Sequence, residues 1–182
     1  RSGVPVAELV PLPPEGLDAA ALLARSWHLP SVDFATFRAD LDRALKFYCG
    51  VLGFELVQRY GSQAAFISAG GYHHHIGLNT WESRGGSPPP RGTTGLFHTA
   101  ILYPNRRELA DALKRLAEAG YPLTGASDHG VSEALYLDDP DGNGVELYVD
   151  RPESEWPRDA KGDLAMVTAR LDIEGLLAEL DK

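Results

Sequence analysis

Three adjacent histidines, His73, His74 and His75, sit in the middle of the chain within GGYHHHIGLNTW (70–81). Imidazole both ligates transition metals and exchanges protons near neutral pH, so the run invites either chemistry. Read as a strand, its side chains alternate between faces. His73, His75 and Asn79 then share one face, and His74, Ile76 and Leu78 the other. Three adjacent histidines on a strand cannot all reach one ion. The face carrying His73, His75 and Asn79 is the one expected to line a substrate pocket. Further along, His98 stands in GLFHTAILY and Glu146 in DPDGNGVELY. Imidazole and carboxylate together suit divalent iron, manganese, zinc or nickel. A histidine in a strand is nevertheless more often a hydrogen-bonded core or rim residue, and for His98 both readings stay open.

Which elements would bring such residues together? VDFATF (32–37) reads as a strand. DLDRALKFYCGVLG (40–53) reads as a helix, with Asp40 as N-cap, an apolar side of Leu41, Leu45, Phe47, Tyr48 and Val51, and Gly53 as its stop. FELVQRY, QAAFISA and YHHHIGLNTW follow as three strands separated by glycine-containing turns. The loop ESRGGSPPPRGTT (82–94) is too rich in Pro and Gly for a regular element. The same order then returns: strand 95–103, helix 106–120, and strands 121–127, 132–139 and 144–150. This is an internal repeat of element order rather than of residue identity. Two βαβββ units, at about 32–81 and 95–150, predict an α+β fold in which paired sheets form a half-open barrel with the helices outside. Asp33 occupies in the first unit the place that His98 occupies in the second, so Asp33, His98 and Glu146 form a candidate ligand set at the barrel axis. Residues 1–30 read as an extension with a short helix around Leu17–Ser26, 31–152 as the domain, and 153–182 as a second extension ending in a helix over 171–182.

Bulk properties narrow the function. The chain has 182 residues, 43% hydrophobic and 24% charged, as in ordinary globular proteins. A net charge of −9 argues against nucleic acid or an anionic membrane as partner. A single cysteine, Cys49, excludes an internal disulfide and a cysteine-built zinc site, and its place on a helix reads as structural. No segment has the ~20 apolar residues of a membrane span. The opening RSGVPVAELV lacks the apolar core of a secretory signal, so a cytoplasmic protein is expected. DDPDGNG (138–144) matches calcium-loop spacing, but its flanks alternate as strands, which makes it a hairpin turn.

Taken together, DLDRALKFYCGVLGFEL, GGYHHHIGLNTW, GLFHTAILYP and SDHGVSEALYLDDPDGNGVELYVDRP resemble the vicinal oxygen chelate superfamily, and within it the catechol 2,3-dioxygenase branch of the extradiol dioxygenases. The resemblance covers about residues 31–152. It implies paired βαβββ units cupping a divalent metal, most readily Fe(II), with Mn, Zn or Ni as alternatives. It matches the family's metal histidine to His98 and its terminal glutamate to Glu146. It also implies that His129, in DHG, and Tyr136, ten places before Glu146, are catalytic. The implied activity is oxidative ring cleavage of a catechol-type aromatic by dioxygen. Alternatives within the superfamily are a non-catalytic, resistance-type binding protein and a glyoxalase-type isomerase. One departure is plain, since Asp33 stands where the dioxygenases place a histidine. No carboxylate occurs in 72–80, which counts against a glyoxalase-like site. Open sheet edges lead to the expectation of a homodimer.

Overall fold

The computed structural model describes residues 34–87, 90 and 92–182. The helix expected around Leu17–Ser26, and Asp33, lie outside these residues. The first described element is helix α1, Phe34–Tyr48. The strand expected over 32–37 is therefore helical in its described part, a correction with a simple origin. A short apolar run such as FATF does not distinguish strand from helix by periodicity. No Gly or Pro interrupts the sequence from Phe34 to Tyr48, so a helix can extend back across it. Asp40 consequently lies inside the helix instead of capping it, and it pairs with Arg43 at 3.1 Å. The apolar side is as expected: Leu41, Ala44, Leu45, Phe47 and Tyr48 are buried. The helix unwinds through Leu52 N to Phe47 O at 3.1 Å and Phe54 N to Tyr48 O at 3.0 Å. Gly53 takes φ +87° in this exit, a conformation costly for any residue with a side chain.

Strands β1 (Glu55–Tyr60), β2 (Ala64–Ser68) and β3 (Ile76–Asn79) form an antiparallel sheet in that order. A second sheet has the order β4-β7-β6-β5-β8, built from β4 (Thr99–Leu102), β5 (Gly125–Asp128), β6 (Ser132–Asp138), β7 (Gly144–Asp150) and β8 (Ala169–Arg170). Between β4 and β5 runs helix α2 (Arg106–Glu118), which Asn105 caps by accepting a hydrogen bond from Glu108 N at 2.9 Å. Residues 99–150 thus follow the expected βαβββ order. The parallel pairing of β4 with β7 is what requires the helical crossover.

Both sheets share one apolar core. Ala65 and Ile67 of β2, Leu135 and Leu137 of β6, and Val145, Leu147 and Val149 of β7 pack with the buried sides of α1 and α2. Strict alternation on β7 leaves Gly144, Glu146 and Tyr148 on the opposite face. That face carries the site. Beyond β7 the chain turns through a 3₁₀ segment, Glu153–Glu155, and returns to add β8 to the sheet edge beside β5. The helix expected over 171–182 is divided into α3 (Ile173–Leu177) and a 3₁₀ turn (Ala178–Asp181). Leu171 and Leu176 are buried in the common core. Among the described residues no helix is long and apolar enough to cross a membrane.

Candidate active site

The β6–β7 hairpin places Tyr136 directly opposite Glu146, because its register runs from Asp138↔Gly144 to Ser132↔Asp150. Directly opposed residues share a face and lie close enough for their side chains to meet. Tyr136 donates its hydroxyl proton to Glu146 Oε1 at 2.9 Å. On the other side of β7, the parallel register pairs Ala100 of β4 with Glu146. His98 precedes β4 by one residue and has the parity of Ala100. Its Nε2 lies 2.9 Å from Glu146 Oε2. Gly144 permits this approach, since a Cβ there would sit 2.1 Å from the Phe97 carbonyl oxygen and 3.1 Å from His98 Cβ.

His129 enters from the tight β5–β6 turn, where Gly130 takes φ +74° and His129 N donates to Ser132 O at 2.8 Å. Its Nε2 lies 2.9 Å from the Tyr136 hydroxyl. On the far side of the ring, Nδ1 lies 3.0 Å from the main-chain oxygen of Val167. Four expected residues therefore form one unbroken polar run: His98, Glu146, Tyr136, His129. Val167 joins it through the main chain alone, which carries no signature in sequence.

The environment is half-buried. The His98 side chain is 32% exposed and that of Glu146 15%. Burial first, then the hydrogen bond to Glu146 and its charge, push the Tyr136 phenol up to about 12. It stays a neutral donor at any ordinary pH. His98 Nδ1 is buried without a hydrogen-bond partner among the described residues.

Would a divalent metal fit? Metal–donor bonds of ~2.1 Å at right angles bring neighbouring donors about 3 Å apart. The 2.9 Å between His98 Nε2 and Glu146 Oε2 fits two such donors, as it also fits a direct hydrogen bond. Glu146 has its other oxygen held by Tyr136, the outer support that ligating carboxylates usually have. Two donors fit. Among the described residues no group of three or more His, Cys, Asp or Glu is assembled for an ion, and Asp33 lies outside them.

The histidine run is placed differently from expectation. Regular strand begins only at Ile76. Gly70 and Gly71 take φ +67° and +77°, and this turn leaves Tyr72–His75 as an irregular lead-in. Strand alternation therefore does not govern His73 and His74, whose Nδ1 atoms approach to 2.8 Å. His75 turns back onto Ser68 Oγ at 3.0 Å. Asn79 accepts a hydrogen bond from Trp81 N at 3.3 Å. His73, His75 and Asn79 are exposed, and no described hydrogen bond, ion pair or ring contact joins them to the His98–Glu146 group. Cys49 is half-buried, and burial pushes its thiol up, as befits a packing residue.

Comparison with known proteins identifies the family. Residues 32–147 match the model of the Glyoxalase/Bleomycin resistance protein/Dioxygenase superfamily, and the chain belongs to that family. It is 49% identical over 141 residues to the catechol-2,3-dioxygenase of Bacillus subtilis (strain 168), covering 77% of this chain and 48% of that protein. It is 36% identical over 113 residues to biphenyl-2,3-diol 1,2-dioxygenase 3 of Rhodococcus globerulus, covering 61% of this chain and 58% of that one. The chain thus spans about half the length of the curated relatives it matches. A glyoxalase/dioxygenase from Nostoc punctiforme superposes with a TM-score of 0.54 at 17% identity, over 62% of this chain and 85% of the other, a likeness of fold.

Proposed function

We propose that this chain forms the metal-bearing unit of an extradiol dioxygenase that cleaves a catechol-type aromatic. A divalent metal held by His98, Glu146 and Asp33, most readily Fe(II), would supply chelation of two neighbouring substrate oxygens and electron transfer to dioxygen. The chain's own residues do the rest. Glu146 would balance the charge of that cation, and Tyr136 orients the carboxylate through Oε1. His129 exchanges a proton at Nε2, the ring nitrogen turned towards Tyr136. His75 and Asn79 are the proposed substrate contacts from the first sheet, with His73 beside them. The reading extends to a homodimer, since Leu56, Val57 and Tyr60 of β1 and Leu96 and Phe97 before β4 are exposed.

The observation that carries this reading is the polar run linking two donor residues to a phenol and an imidazole. A module that only sequesters a ligand has no use for the last two. The test is oxygen uptake by the Fe(II)-loaded full-length protein across a panel of catechols, with ring-opened product followed by absorbance. Uptake is expected, with His129→Ala lowering turnover ~10²–10⁴-fold while binding is largely kept. Saturable aromatic binding without oxygen uptake, whatever metal is supplied, would instead establish a binding protein.

A further inference from the structure

We infer that the segment after the domain, residues 156–170, belongs to the active centre, because the main-chain carbonyl of Val167 sets the tautomer and orientation of His129. A carbonyl oxygen can only accept, so the 3.0 Å contact requires the proton on Nδ1 of the ring. In the neutral ring Nε2 is then left as an acceptor, and it competes with Glu146 Oε1 for the single proton of the Tyr136 hydroxyl, which lies 2.9 Å from each. The opposite tautomer would set two lone pairs against each other at Val167 and leave Nδ1 only the longer contact to the Thr168 hydroxyl, at 3.4 Å. The contact is reciprocal, since Val167 N donates to the His129 carbonyl at 3.1 Å. Ring and backbone of one residue are thus held by one residue of the returning segment.

The segment is itself built to stay there. Residues 157–165 form a hairpin, with Ala165 N to Pro157 O at 2.8 Å and a bridge between Arg158 and Leu164. Asp159 closes its turn by accepting from Lys161 N at 2.8 Å and Asp163 N at 3.0 Å. Trp156 Nε1 anchors the entrance to Arg151 O at 2.9 Å, and β8 anchors the exit against Asp128, next to His129. Gly130 lies beneath it. A Cβ there would meet Pro157 Cγ at 2.9 Å and Val167 Cγ2 at 3.3 Å, so Gly130 lets the segment lie close. Val167 is a positioning residue, and its effect on turnover rests on the ring-cleavage reading of His129; its effect on the tautomer does not.

The test reads the tautomer directly, by imidazole ¹⁵N chemical shifts assigned through His129→Ala, before any metal is added. The Nδ1–H form is expected. Gly130→Ala should push the segment away, mix the tautomers and lower kcat ~10-fold with KM little changed. An Nε2–H or evenly mixed His129 in the unaltered protein overturns the inference, and this arm stands even if Gly130→Ala does not fold. So does a Gly130→Ala protein that loses turnover with its tautomer intact. A protein inactive towards every catechol but carrying the Nδ1–H form, lost in Gly130→Ala, supports the inference and fails only the ring-cleavage reading.

Discussion

Tyr136 stands between an imidazole and a carboxylate with a single hydroxyl proton to offer them. Held up to about 12, chiefly by burial, that proton remains in place throughout the working range. Tyr136→Phe should leave Glu146 Oε1 without its partner and weaken metal binding or turnover by ~10–100-fold. Difference absorbance against that variant should show Tyr136 ionising only as pH approaches 12; ionisation near the ordinary phenol value of about 10 would contradict the buried contact. His98 and Glu146 were legible from residue type and place in the repeat, and His129 and Tyr136 through the resemblance of DHG, and of a tyrosine ten places before Glu146, to the dioxygenases. DPDGNG centres the hairpin, and ten positions across it give opposite partners. The histidine run was less legible, since two glycines in left-handed conformation release Tyr72–His75 from the ladder before alternation can apply. Val167 could not have been read at all, because main-chain oxygens have no letter in the sequence.

Helix α1 and the β6–β7 hairpin are tied by one buried contact, Tyr48 Oη donating to Asp139 Oδ2 at 3.0 Å. Asp139 also accepts from Asp141 N and Asn143 N, both at 2.9 Å, so the same carboxylate shapes the turn and receives the helix. Asp139→Ala strands a buried hydroxyl and turn amides and should cost about 3 kcal/mol by denaturant unfolding. Burial first, and the Asp139 charge next, hold the Tyr48 phenol well above its ordinary value of 10. The folded state therefore keeps that proton more tightly than the unfolded chain. Its stabilisation is fully present below pH 10 and is lost as pH rises beyond it. Melting temperature should fall more steeply above pH 10 in the unaltered protein than in Tyr48→Phe; parallel curves would mean the contact is not made. At this scale the sequence misled most at the strand 32–37, and with it at the Asp40 cap. There a short apolar run met no helix breaker, and local pattern alone does not separate the two structures.

The core joins both sheets and both long helices, so neither repeat has an apolar interior of its own. One cooperative unfolding transition is expected for 34–182, without a separate transition for the first sheet. The outer surface is less complete. Every residue of β1 is exposed, and Phe97, just before β4, is 86% exposed. Apolar side chains this open, together with sheet edges, favour burial against a second copy. Light scattering at micromolar concentration should give a dimer, and a monomer there would remove this part of the proposal. The α+β class and the second βαβββ unit could be read from element order because each helix and turn there has its own cap or glycine.

The β6–β7 register has a consequence for how this chain can tolerate changes of length. A strand pairing that slips by one residue exchanges every inward side chain for an outward one. Deleting one residue between Asp139 and Asn143 would thus ask either Tyr136 or Glu146 to enter the apolar core, although neither residue had been altered. Restoring the apolar pattern by a bulge would still separate the phenol from the carboxylate. In a library of single-residue insertions and deletions, variants of this turn should lose metal binding as a group. The loop 82–94, whose described residues carry none of the site, should accept the same changes freely.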